Sequence, residues 1–160
     1  MWVEPDLMPL WLGDFRLVST WQVGSELEVQ GHLQGHPYTE KGTLLAFEPD
    51  KLLRYTHWSP LWGLPDLPGH HAVVTLRLVP GTEGTHLHFH HELPPVEALA
   101  EHSRFFWRVS LEQLKRVVEG QTSCYGMLAR IPGNHLTSSP DDMALMETLM
   151  DDDDRIRRPS

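Results

Sequence analysis

The chain has a single cysteine, Cys124, and few basic residues, with 13 Lys+Arg against 22 Asp+Glu among 160 residues and a formal net charge of −9. One cysteine excludes an internal disulfide and favours a reducing compartment, so we expect a cytoplasmic protein. The shortage of basic residues argues against nucleic acid as a partner, because phosphate neutralisation supplies most of that affinity. No apolar run reaches the ~18 residues of a membrane helix, and the start lacks a signal-peptide core. We therefore expect no membrane span.

Residues 121–160 differ in composition from the rest of the chain. They carry 7 acidic and 4 basic residues, a single aromatic residue, Tyr125, and the acidic run Asp151–Asp154. So few large apolar side chains cannot build a core. We therefore expect one domain over residues 1–120 and an acidic, flexible tail over residues 121–160. The alternative for residues 140–150 is a short amphipathic helix that docks on a partner.

Apolar side chains alternate along most of residues 15–93, which is typical of strands with one buried face. The predicted strands are 15–23, 26–33, 41–48, 52–58, 71–79 and 85–93. Residues 59–69 contain three prolines and two glycines and predict a loop. Residues 96–119 contain neither and predict one long helix. Because a one-sided sheet needs a cover, the pattern predicts an α+β fold in which a curved antiparallel sheet wraps around a long C-terminal helix.

Matching the apolar faces of the last two predicted strands gives their pairing. Leu76 would oppose Leu87, and Val74 would oppose Phe89. A curved sheet and a helix do not fully interdigitate, so a cavity between them is expected. The predicted ligand-binding residues are the inward side chains of the sheet and the helix, namely Trp21, Val74, Leu76, Leu87, Phe89, Trp107, Leu111 and Leu114.

Several segments, in their order and spacing, resemble the START-like (SRPBCC) superfamily. They are Pro9-Leu10-Trp11-Leu12, Gly42-x-Leu44-x-x-Phe47-Glu48-Pro49, Leu52-Leu53-x-Tyr55-Thr56-x-Trp58, Gly84-Thr85-x-Leu87-x-Phe89-x-His91 and Trp107-x-x-Ser110-Leu111-x-x-Leu114-Lys115. Within that superfamily, residues 2–120 are similar to the activator of heat-shock protein 90 ATPase homologue group. The resemblance implies a helix-grip fold with a hydrophobic pocket and brings no catalytic residue set. We expect no cofactor.

The expected function is the non-enzymatic binding of a hydrophobic small molecule between the sheet and the helix, and the resemblance implies a stress-linked role. The alternative is a protein-interaction module, by analogy with the co-chaperone that names the group. Fold analogy alone does not decide between the two. A binding protein needs an apolar cavity, whereas an interaction module needs an exposed apolar patch.

The chain departs from the family pattern at two places that bear on function. The family's first strand would precede Trp2 and pair along strand 85–93, so its absence would expose that edge. We expect a start codon upstream of Met1, and the alternative is that this edge pairs with a protein partner or a second copy of the chain. Phe106 replaces the glycine that usually precedes the helix tryptophan, and its ring could fill part of the cavity.

Histidine is abundant, with 11 in the chain, and His86, His88, His90 and His91 lie in one predicted strand. A His-x-His pair on one strand face can bind zinc, which makes a His-based metal-dependent enzyme the second alternative function. We favour a polar outer face opposite Leu87, and hence no metal site. The acid–base candidates are His57, Tyr55, Asp14, Glu48 and Glu92. They could catalyse only by converging on a cavity, and we expect no catalytic residue.

Overall fold

The computed structural model describes residues 3–33 and 36–121. Its elements, in chain order, are helix α1 Pro9–Leu12, strands β1 Arg16–Ser19, β2 Glu26–Leu33, β3 His36–Glu48, β4 Leu52–His57, β5 Ala72–Pro80 and β6 Thr85–Glu92, and helix α2 Glu97–Val118. Short 3-10 turns at Pro60–Trp62 and Pro68–His70 lie between β4 and β5. The strands form one antiparallel sheet in the order β1 to β6. This confirms the predicted helix-grip fold, and the predicted tail lies outside the described residues.

Two strands have boundaries that differ from the prediction. β1 ends at Ser19 rather than at residue 23, because Trp21 has a φ of 61° and leaves the extended conformation. β3 begins at His36 rather than at residue 41, and Pro37 pairs with His32 across the hairpin. The early start of β3 places additional side chains on the inward face of the sheet.

The predicted pairing of β5 with β6 is wrong by two residues. Leu76 lies opposite Phe89, and Val74 lies opposite His91. Because the shift is an even number of residues, the inward and outward faces are as predicted. The inward face of β6 therefore extends to His91.

The turn between β5 and β6 explains this pairing. β5 continues to Pro80, which pairs with Thr85, and the amide of Gly81 donates to the carbonyl of Gly84 at 2.7 Å. Gly84 has a φ of 150°, a conformation that residues with a Cβ atom rarely adopt. The turn therefore uses four residues, 81–84, and fixes which side chains of the two strands face each other.

β3 and β4 approach each other unusually closely at Gly42. A Cβ atom at this position would overlap the carbonyl oxygen of Thr56. Beside it, Lys41 and Trp58 exchange backbone hydrogen bonds of 3.0 and 2.7 Å. The register then shifts between Leu44 and Ala46, and such irregularities increase the local twist of a strand. Glycine at position 42 thus permits the close strand contact at the point where β3 stops pairing with β2 and begins to pair with β4.

One hydrophobic core joins the sheet to α1 and α2. Its buried members are Met8, Trp11, Leu12, Leu17, Leu27, Leu44, Leu53, Tyr55, Val74, Leu76, Trp107 and Leu114. Within residues 3–33 and 36–121, β6 pairs with β5 alone. The helices in this part of the chain are too short or too polar to cross a membrane.

Candidate functional site

A cavity of about 340 Å³ lies between the sheet and the first half of α2. Its volume falls within the range of roughly 300–1,000 Å³ typical of small-molecule sites. Its apolar and aromatic lining comprises Leu12, Phe15, Leu17, Val29, Tyr55, Leu61, Trp62, Leu93, Leu99, Phe106 and Trp107. Leu61 and His102 line the cavity and are also exposed, so the cavity reaches the surface near the loop that follows β4.

Phe106 forms part of the cavity wall. Its ring meets Phe15 edge-on with a centroid distance of 5.8 Å, and it meets Trp107 in the same way at 5.4 Å. These contacts hold the Phe106 ring against Trp107 on α2 and against Phe15, which directly precedes β1. The cavity therefore persists with the large side chain of phenylalanine at position 106.

Six polar side chains form a continuous hydrogen-bonded chain along the wall, which we call the polar chain. In order, its members are Ser59, Tyr38, Glu40, His57, His91 and Ser103. All six line the cavity. The strands β3, β4 and β6, the segment after β4, and α2 each contribute at least one of them, so only the folded chain brings them together.

Glu40 on β3 is the acidic member of the polar chain, and its side chain is 14% exposed. The Tyr38 hydroxyl donates to its Oε1 at 2.6 Å, and His57 Nδ1 donates to its Oε2 at 2.6 Å. Burial by itself would raise the pKa of Glu40, but the hydrogen bonds and charge of its neighbours lower it below the ordinary value. Glu40 is therefore ionised at neutral pH. Burial, followed by the nearby carboxylate, raises the pKa of Tyr38 above its usual range, so Tyr38 keeps its proton.

His91 on β6 links this acidic end to α2. Its Nε2 lies 3.2 Å from His57 Nε2, and its Nδ1 lies 2.7 Å from Ser103 Oγ. Burial, and then the charge of His57, lower the pKa of His91 to about 3. At neutral pH His91 is therefore an uncharged imidazole, with one N–H donor and one nitrogen acceptor.

The structure places all eight predicted ligand-binding residues in or against the hydrophobic core. Trp107 is the one that lines the cavity described above. The buried core contains Val74, Leu76 and Leu114, and the partly buried shell around it contains Trp21, Leu87, Phe89 and Leu111. Trp21 packs against Phe47 with a centroid distance of 5.4 Å. Contact of these residues with a ligand stays a prediction.

Among the acid–base candidates, Tyr55 and His57 meet at the cavity, with ring centroids 6.1 Å apart. The other three do not line it: Asp14 accepts a hydrogen bond from the amide of His32, and Glu48 and Glu92 are exposed. The outward His86, His88 and His90 are exposed as well. No group of three or more His, Cys, Asp or Glu side chains that could hold a metal ion occurs within the described ranges.

Sequence reasoning missed Tyr38, Glu40, Ser59, His91 and Ser103. The signal for Tyr38 and Glu40 was the alternation that runs back from Leu44 through position 42. The signal for His91 was that it shares the parity of Phe89. For Ser59 and Ser103 the local sequence carried no comparable signal, because a loop serine and a helix serine reach the cavity only through tertiary packing.

The chain is similar to several proteins of solved structure. It is 34% identical to ChR145 from Cytophaga hutchinsonii, over 74% of this chain and 81% of that chain, with a TM-score of 0.60. It is 26% identical to CV1439 from Chromobacterium violaceum, over 73% and 83%, with a TM-score of 0.56. CalU16 from Micromonospora echinospora, at 21% identity over 91% and 70% and a TM-score of 0.59, shares the fold. No curated protein matches the chain significantly.

The family described as Activator of Hsp90 ATPase homolog 1-like protein matches residues 1–119, which is most of the chain. Domains of this family are in general non-enzymatic binding domains, and membership supports a ligand-binding or co-chaperone-like role. The match agrees with the helix-grip architecture and with the similarity to ChR145. The chain therefore belongs to the family of Activator of Hsp90 ATPase homolog 1-like proteins.

Proposed function

We propose that this protein binds a hydrophobic small molecule, without catalysing a reaction, in the cavity between the sheet and α2. The observation that carries the proposal is the cavity itself, whose volume of about 340 Å³ suits a small molecule. The single cysteine favours a reducing compartment, so we place this activity in the cytoplasm.

The composition of the wall supports a ligand that is mainly hydrophobic. Aromatic rings come from both sides of the cavity, with Phe15 and Tyr55 on the sheet side and Phe106 and Trp107 on α2. Aromatic side chains offer large, rigid contact areas, and burial of apolar surface drives association. The polar side chains are concentrated in the polar chain, an arrangement suited to orienting a ligand rather than to solvating the whole of it.

A protein-interaction module is the second candidate function, and exposed leucines favour it. Leu61 is 62% exposed and Leu67 is 52% exposed, and both lie in the segment between β4 and β5. Exposed large apolar side chains of this kind are found on contact surfaces. Leu67 is not part of the cavity lining, so Leu67→Ser should weaken partner binding under this candidate and leave cavity binding intact.

The test of cavity binding uses N-phenyl-1-naphthylamine, an uncharged probe that fluoresces when bound in an apolar site. We expect saturable binding by the unmodified protein. Leu99→Trp, at a half-buried lining position on α2, should weaken that binding about tenfold or more because the larger ring occupies cavity volume. Leu45→Trp is the matched control, because Leu45 is 37% exposed on β3 and is not part of the lining.

The proposal fails if the unmodified protein shows no saturable binding, or if the two tryptophan variants bind the probe equally well. Native mass spectrometry of protein purified from its own host provides an independent check. A co-purified small molecule that is lost in Leu99→Trp and retained in Leu45→Trp would support the proposal.

A further inference from the structure

Tyr55 is a cavity-lining residue whose hydroxyl has no hydrogen-bond partner among the described residues. Tyr55 is 3% exposed and lines the cavity, and no residue in the described part of the chain hydrogen-bonds to its hydroxyl. Burial raises the pKa of Tyr55 far above its usual range, so the hydroxyl retains its proton as a donor. A hydroxyl on the wall of an apolar cavity, without a hydrogen-bond partner among the described residues, can donate to a bound group that accepts its proton.

The polar chain supplies a second hydroxyl with unused capacity, at its Ser103 end. The other end is satisfied: Ser59 Oγ hydrogen-bonds to the Tyr38 hydroxyl and accepts from the amide of Leu61 at 3.2 Å. Glu40, His57 and His91 each use both of their side-chain oxygen or nitrogen atoms within the chain.

Ser103 makes one side-chain hydrogen bond among the described residues, to His91 Nδ1. A hydroxyl has one donor and two acceptor positions, so Ser103 can pair with one more group in the cavity. If His91 Nδ1 carries the imidazole proton, the Ser103 hydroxyl is free to donate. If His91 Nε2 carries it, Ser103 donates to His91 and keeps only its lone pairs, so Tyr55 alone donates to a carbonyl oxygen of the ligand.

The charges of the wall decide which polar groups this arrangement accepts. Among the described residues, the lining contains no lysine or arginine and one carboxylate, Glu40, which is ionised. A carboxylate on the ligand would lose its water close to a like charge and without a cation to pair with. A cation would find both oxygens of Glu40 already accepting hydrogen bonds from Tyr38 and His57.

We infer that the hydroxyls of Tyr55 and Ser103 form a hydrogen-bonding subsite for an uncharged oxygen group, a ketone carbonyl in its simplest form, on an otherwise hydrophobic ligand. The two hydroxyls flank the histidine pair: Tyr55 lies beside His57 with ring centroids 6.1 Å apart, and Ser103 contacts His91 at 2.7 Å. This inference rests on the proposed function and specifies the class of ligand.

Four naphthalenes that differ at a single substituent of similar shape test the inference. They are 2-acetylnaphthalene, 2-isopropenylnaphthalene, 2-naphthoate and 2-naphthamidine, measured by titration into the full chain. We expect the ketone to bind about threefold to tenfold more tightly than the hydrocarbon, the gain typical of one net hydrogen bond. The carboxylate and the amidinium should bind more weakly than the ketone.

Tyr55→Phe should reduce the advantage of the ketone over the hydrocarbon, because it removes the donor that is available in both states of His91. Ser103→Ala should reduce that advantage as well when His91 Nδ1 carries the imidazole proton, the state in which Ser103 donates to the ligand. Tyr55→Phe breaks no hydrogen bond within the described protein, so its fold should persist. Ser110→Ala is the matched control, because Ser110 is a buried serine on α2 that does not line the cavity.

Equal affinities for the ketone and the hydrocarbon in the unmodified protein would overturn the subsite and leave the cavity function standing. Tightest binding of either charged probe would overturn the assignment to an uncharged group. A ketone advantage that survives in both variants would overturn the assignment to Tyr55 and Ser103. Binding of none of the four probes would contradict the proposed function and this inference together.

Discussion

His57 and His91 stack with ring centroids 5.4 Å apart, and their Nε2 atoms are 3.2 Å from each other. One proton fits between these two nitrogens, because two N–H groups would point at each other. At the other ring nitrogen of His57, Nδ1 donates to Glu40 Oε2 at 2.6 Å. The imidazole that resists protonation is therefore His91, which contacts a serine rather than a carboxylate at its remaining nitrogen.

The first prediction concerns stability in acid. The pKa of His91 is lowered from 6.5 to about 3 in the folded protein, so the unfolded chain takes up this proton first as the pH falls. The stabilisation that comes from the lowered pKa of His91 is fully present above pH 6.5. It is lost as the pH falls from 6.5 to about 3, by at most about 1.4 kcal/mol per pH unit. His91→Gln should therefore show a flatter decline in the free energy of unfolding, measured with urea.

The control for that measurement is His88→Gln, because His88 is exposed on the same strand. It should keep the decline of the unmodified protein. Other groups near His91, namely His57, Glu40 and His90, remain in both variants, so the comparison isolates His91. Parallel declines in His91→Gln and the unmodified protein would contradict the lowered pKa.

The second prediction concerns the acidic end of the polar chain. Glu40→Gln replaces one acceptor oxygen with an NH₂ donor, which then faces the hydroxyl of Tyr38 or the N–H of His57. We expect a loss of about 2–4 kcal/mol in the free energy of unfolding at neutral pH. Glu48→Gln, exposed on the same strand, should change it by less than about 0.5 kcal/mol. Similar losses in the two variants would contradict a stabilising role for the hydrogen bonds that Glu40 accepts from Tyr38 and His57.

The third prediction concerns the close approach of β3 and β4. Gly42→Ala would place a methyl group against the carbonyl of Thr56, a backbone atom that cannot move without disturbing the sheet. We expect the free energy of unfolding to fall by roughly 3 kcal/mol or more. At Gly69 an added Cβ meets nothing within 4 Å, so Gly69→Ala should have little effect. Thermal unfolding of the two variants side by side measures the difference.

The fourth prediction separates the cavity from the core. Trp107→Ala removes a ring whose centroid is 4.6 Å from that of Phe89 and 5.4 Å from that of Phe106. We expect a loss of about 3–5 kcal/mol in stability and weaker binding of N-phenyl-1-naphthylamine. Trp21→Ala, which loses packing against Phe47, should reduce stability and leave probe affinity unchanged. Equal probe affinities for the two variants would contradict a contact between Trp107 and the bound probe.

The order and type of the elements could be predicted from the sequence, because each rests on a local signal. Alternation marks the strands, and the absence of glycine and proline over 96–119 marks α2, which spans Glu97–Val118. The pairing of β5 with β6 could not be predicted in the same way, since any even shift keeps the apolar faces matched. The backbone conformation of Gly84, with a φ of 150°, belongs to the four-residue turn that sets the observed pairing.

The candidate site was harder to predict than the fold, because its polar groups come from distant parts of the chain. His57 and His91 are 34 residues apart in sequence, and Tyr38 and Ser59 are 21 apart. Alternation places Tyr38 and His91 on the inward faces of their strands, but nothing in the local sequence shows that these polar side chains meet. Apolar patterning found Trp107 and the core behind the cavity, and it had no means of finding the polar chain.

The four-residue turn at 81–84 also determines which side chain of β6 lies beside His57 on the cavity wall. A tighter turn that used only residues 81 and 82 would bring Phe89 opposite Val74, where His91 now lies. The hydrophobic pattern of β6 would still be satisfied, yet the link from His57 to Ser103 would be lost. The turn at residues 81–84 therefore determines whether the cavity wall beside His57 is polar or apolar, with the residues of the two strands unchanged.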